Sequence, residues 1–87
     1  MKPKTYRELE ILENGVTCRA RIPTTRWSDD AGRWVNVDAG DAGTIASCRK
    51  PEKIVGAVYL VLMFRQRATI YVNHSSIHRH EEWEILT

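Results

Sequence analysis

Most of the features that usually point to a function are missing from this sequence. Its 87 residues include two cysteines, Cys18 and Cys48. Two are too few for a disulfide scaffold, and they lack the Cys-x-x-Cys spacing of a redox or zinc motif. Both read as small buried hydrophobes. The most apolar run, IVGAVYLVLMF, is too short to span a bilayer, and no apolar run follows the lysines of the opening MKPKTYRELE. A secretory signal is therefore not expected, and a cytoplasmic location without membrane contact is. Formal net charge is only +2, too little to identify a nucleic-acid binder. No nucleophile elbow, P-loop or dinucleotide fingerprint is present. Internal repeats and low-complexity tracts are lacking too, as is any segment with a sustained helical period.

What remains is the composition of an ordinary globular chain, 43% hydrophobic and 28% charged, sized for one domain over residues 1–87. Charge is unevenly distributed. From Arg49 to Arg79 six basic residues face one acid, Glu52, while Glu81, Glu82 and Glu84 crowd the end. A bipolar molecule is expected.

Short strands and turns fill the chain. In ELEILENGVTCRARI, Asn14-Gly15 fits the two positive-φ positions of a type I′ turn. The hairpin register that follows sets Ile11 opposite Cys18 and Leu9 opposite Ala20, with Glu10 facing Arg19 and Glu8 facing Arg21 on the charged side. A competing reading makes Thr5 the N-cap of a short helix with Glu8 at the capping-box position. Pro23 closes that strand. TTRW and RWVNV then flank DDAG, which predicts a second hairpin with Trp27 and Trp34 near its tip. A Gly-rich turn, DAGDAG, leads into TIASC, and RKPEK forms a basic loop. AVYLVLMF is expected to be a central strand buried on both faces, with Val58, Leu60, Leu62 and Phe64 on one and Tyr59, Val61 and Met63 on the other. After RQR, ATIYVN returns with Ala68, Ile70 and Val72 inward. HSSIHRH reads as a polar turn or a single 3-10 turn before a last strand, EWEIL.

The fold class that results is all-β, a small barrel or sandwich of five to seven short antiparallel strands. The order of parts in DAGTIAS, VYLVLMF and ATIYVNHSSIHRHEEWEIL, over the last two thirds of the chain, resembles an SH3-like barrel. Its Gly43-Thr44-Ile45 step is similar to the glycine of KOW-type modules of ribosomal and transcription factors, and a similar tail occurs in small barrel subunits of some redox complexes. The resemblance implies a non-catalytic module that docks on a protein partner, as an accessory subunit or inhibitor, or one that binds nucleic acid.

Four groups of residues are candidates for function. Trp27, Trp34, Arg26 and Arg33 are the expected partner-binding patch, since Trp and Arg dominate interface hot spots; the competing reading has one tryptophan capping the open end of the barrel. Arg49, Lys50, Lys53, Arg65 and Arg67, converging from two loops with Tyr71 or Tyr59 for base stacking, form the alternative nucleic-acid surface. His74, His78, His80 and Cys48 carry enough donor atoms for zinc, but match no defined ligand spacing and are expected to be a solvated turn without metal. Asp29-Asp30 and Asp38 with Asp41 sit in turns, where backbone capping is the expected role. Neither a catalytic residue nor a cofactor is expected, and oligomeric state is left open.

Overall fold

The computed structural model describes residues 12–49, 58–78 and 81–86. Seven strands and one short helix follow in order: β1 Thr17–Ala20, β2 Thr24–Ser28, β3 Arg33–Val37, β4 Ala42–Arg49, β5 Val58–Met63, β6 Ala68–Asn73, α1 His74–His78 and β7 Trp83–Leu86. The all-β class follows, with every pairing antiparallel. Five strands form one sheet in the order β6-β5-β4-β1-β7, and β2-β3 form a separate ribbon that packs across β6. Among the described residues the ladder does not close into a ring: β6 and β7 are its edges. No helix of the described residues is long and apolar enough to cross a membrane.

Period-two alternation builds the core. One face of the sheet supplies Cys18, Ala20, Ile45, Tyr59, Val61, Met63, Ile70, Val72 and Trp83; the ribbon adds Val35 and Val37, and α1 adds Ile77, all at most 2% exposed. Burial pushes the Cys18 thiol up to about 12, so it is an inert core group. A bulge in β4 between Ile45 and Ser47 inserts one residue and reverses the alternation beyond it. Cys48, not Ser47, therefore turns to the inner side, where it packs against the core. Gly43 is fixed by proximity: a Cβ there would lie 2.7 Å from the Leu62 carbonyl oxygen, 2.8 Å from Met63 Sδ and 2.9 Å from Val61 Cγ1.

Several expectations are corrected. Both edges of β1 are occupied, by β4 (Cys18 opposite Gly43) and by β7 (Cys18 opposite Ile85, Ala20 opposite Trp83), where the sequence suggested Leu9 and Ile11 as partners. The residues 1–11 themselves lie outside the described part. Arg19 and Arg21 both pair with Glu84, a partner 63 or more residues further along. The Asn14-Gly15 turn exists, but only Gly15 has a positive φ, 90°, as at the third position of a type II turn and not as in type I′.

Burial of β5 is complete on one face and graded on the other, where Val58 is 7% exposed and Leu60 half-buried. Tyr59, Val61 and Met63 are fully buried, while Leu62 is 36% and Phe64 51% exposed. Among the described residues, the ribbon and α1 pack on the face that carries Tyr59, Val61 and Met63. HSSIH forms an α-turn whose His74 is 1% exposed; the histidine turn is not solvated as expected. Alternation along β6 is as predicted, with Ala68, Ile70 and Val72 inward.

Candidate binding face on the tryptophan hairpin

The β2–β3 hairpin is held rigidly at its tip. Gly32 takes a φ of 64° and its N–H donates to the Ser28 carbonyl at 2.9 Å. The Ser28 hydroxyl, fully buried, donates to Asp30, and Asp30 Oδ1 also accepts the Thr69 N–H at 3.1 Å, which ties the tip to β6. These bonds, that from Ser28 first, hold the Asp30 carboxyl down to about 2.

On this base Trp27 lies directly opposite Trp34 in the ladder. Their rings meet edge to face, with centroids 5.5 Å apart and planes at 77°, an arrangement favoured by the ring quadrupoles. They are 46% and 65% exposed. The buried tryptophan is Trp83. Trp27 Nε1 donates to Asp29 Oδ1 at 3.0 Å, and beside the rings Thr25 Oγ1 donates to Asn36 Oδ1 at 2.9 Å.

The hairpin's two arginines do not share this face. Arg26 is opposite Val35 and Arg33 opposite Ser28, so strand alternation sets both on the inner side. Arg26 Nε is buried with no hydrogen-bond partner among the described residues. Arg33 reaches across to donate to the Gln66 carbonyl at 3.2 Å. The expected four-residue patch is therefore two rings with a carboxylate at their edge.

Of the basic groups, only Arg65 and Arg67 have described side chains. Arg49 is opposite Val58 at one end of β5, and the turn carrying Arg65 and Arg67 follows Met63 at the other, roughly 17 Å away at strand rise. Lys50, Lys53 and the Arg49 side chain lie outside the described residues. Arg65 is already engaged: Nε donates to Asp41 Oδ1 at 3.1 Å, and Nη2 to Asp41 Oδ2 at 2.8 Å and Asp38 Oδ2 at 3.0 Å. This guanidinium holds the Asp41 carboxyl well below the usual carboxylate range. Asp41 also caps the Asp38 N–H at 2.8 Å, as expected of a turn aspartate, and accepts from Gln66 Nε2 at 2.6 Å. Arg67 is exposed at a φ of 52°. Tyr71 is half-buried opposite Leu60.

Tyr59, expected on a buried face of the central strand and considered for base stacking, organises the histidines. His74 stacks on its ring at 3.9 Å, and its hydroxyl meets His78 Nε2 at 2.8 Å and accepts the Leu12 N–H at 3.0 Å. Cys48 Sγ is 3.1 Å from His74 Nε2. Burial first, and the neighbouring His78 second, push His74 down to about 4, against a hydrogen bond to the Val58 backbone. The Cys48 sulfur and the His74 imidazole are thus within hydrogen-bonding distance. Among the described residues no three His, Cys, Asp or Glu side chains are placed to hold a metal; His80 lies outside them. Neither the buried His74 nor the role of Asp29 was anticipated. The signal for Asp29 was its position two residues after Trp27, within reach of the indole.

The chain matches no protein-family model, no curated protein and no solved structure.

Proposed function

We propose that this protein is a non-catalytic binding module that docks on a protein partner through Trp27 and Trp34, as an accessory subunit or inhibitor. One observation carries the reading: two adjacent tryptophans stay exposed on a hairpin pinned to the sheet. Each ring leaves about half of its area in water, forgoing roughly 2–3 kcal/mol that burial would give. A partner covering them recovers that energy, and the pinned tip limits the entropy lost on ordering. An early hairpin, two tightly joined strands and a single helical turn before the last strand support the SH3-like resemblance. Nucleic-acid binding is the weaker alternative, because Arg65 is neutralised by Asp38 and Asp41.

The test is capture by wild-type protein and a Trp27→Ala, Trp34→Ala variant after nuclease treatment, with the captured protein then purified and titrated. Circular dichroism confirms that both are folded. Affinity for the purified partner is expected to fall about a hundredfold or more in the variant. Undiminished binding by the folded variant overturns the reading.

A further inference from the structure

The placement of Arg26 and Arg33 reverses the electrostatics expected of the tryptophan face. Period-two alternation starts both arginine side chains on the inner side of the hairpin, and the exposed Arg33 donates to the Gln66 carbonyl and, at 3.5 Å, to that of Trp34. The charge left at the rings is negative: the Asp29 carboxylate, 3.0 Å from Trp27 Nε1. Asp30, the other acid of the tip, is turned to Ser28 and Thr69. Thr25 and Asn36, which complete the face, are uncharged and bonded to each other.

Trp offers the most electron-rich π face of the natural side chains, and a cation within about 6 Å of its centroid is attracted to it. Two rings near perpendicular to one another present faces in two directions around one corner. Donation of the indole N–H to an anion polarises the Trp27 ring in the same sense. An acidic segment laid on this surface would meet Asp29 and two negative π faces. A basic one would meet three groups that all favour it.

We infer that the outer face of the β2–β3 hairpin recognises a basic segment of a partner protein, with a lysine or arginine side chain held against Trp27 and Trp34 and Asp29 as its counter-charge. This rests on the docking role assigned to the two tryptophans and adds the chemistry of what they dock on. The stem of a lysine or arginine covers the rings while its head group reaches the carboxylate.

The experiment titrates the protein with a synthetic peptide of alternating lysine and glycine, and with its glutamate–glycine counterpart, following the indole N–H signals by NMR. The lysine peptide is expected to move the Trp27 and Trp34 signals and to leave that of buried Trp83 in place, with a response that weakens as salt is added. Asp29→Asn, which keeps an acceptor for the indole, and Trp34→Leu, which keeps apolar area, should each weaken it about two- to fivefold. Arg33→Gln should leave it unchanged. Binding of the glutamate peptide at these indoles in place of the lysine peptide, or lysine-peptide binding indifferent to both Asp29→Asn and Trp34→Leu, overturns the inference. A partner captured through the tryptophans but presenting an acidic segment to them would overturn this inference alone. Capture undiminished in the folded double tryptophan variant would remove the docking role itself.

Discussion

At the scale of single residues, position relative to a neighbouring strand decides what each side chain does. Trp27 and Trp83 share a chemistry and have opposite fates: Trp83 faces the covered side of the sheet at 1% exposure, and Trp27 the outside of a ribbon at 46%. Gly43 is the tightest such position. Its missing Cβ makes room for the Leu62 carbonyl, a backbone atom that cannot swing aside. Gly43→Ala is expected to lower stability by about 1–3 kcal/mol through overpacking, seen as a lower midpoint of urea denaturation at an unchanged slope. An unchanged midpoint would mean that β4 and β5 part at no cost. None of this is legible at Gly43 in the sequence, where DAGTIAS reads as a turn leading into a strand. The closeness is imposed by β5, whose Met63 lies opposite Gly43.

At the scale of elements, α1 and the β4 bulge jointly make the histidine cluster. The bulge turns Cys48 inward, α1 places His74 beside it, and Tyr59 on β5 stacks on His74 with the His78 ring tilted 5.8 Å away. Folding keeps His74 neutral down to about pH 4, whereas the unfolded chain protonates it near 6.5. The unfolded state therefore binds more protons between those limits. The contribution is fully present above about pH 6.5 and is lost as pH falls toward 4, with a slope approaching about 1.4 kcal/mol per pH unit for one proton. Asp30 and Asp41, whose folded-state values are depressed, act below that window. Denaturation of wild type at pH 7, 6 and 5 should show this loss, and His74→Phe, which keeps a ring on Tyr59, should flatten it; an equally steep dependence in the variant would place the titration elsewhere. HSSIH is polar by composition, so the burial of His74 was hidden until sheet and helix were assembled around it.

At the scale of the whole molecule, charge is partitioned by topology. Arg19 and Arg21 neutralise Glu84 across β1 and β7, while Arg65 locks the turn before β4 to the turn after β5. Sequence stretches that look strongly charged are thus partly spent on holding the fold. Charge reversal of Arg65 and Arg67 is expected to leave nuclease-resistant partner capture intact while lowering thermal stability, since it breaks the Asp38 and Asp41 contacts. Abolished capture by a variant that remains folded would return function to the basic surface. By itself the sequence determined the all-β class, the β2–β3 hairpin around DDAG and the inward residues of β6, because alternation and turn chemistry are local properties of the backbone. The opposite faces of Arg26 and Trp27 were also local information, contained in the period of two. Only the tertiary structure decided the partners of β1, the exposure of Leu62 and Phe64, the burial of His74 and the engagement of Arg65 by Asp38 and Asp41. Those outcomes depend on which distant segments meet in one sheet, where the summed burial of a core overrides the preference of any single turn.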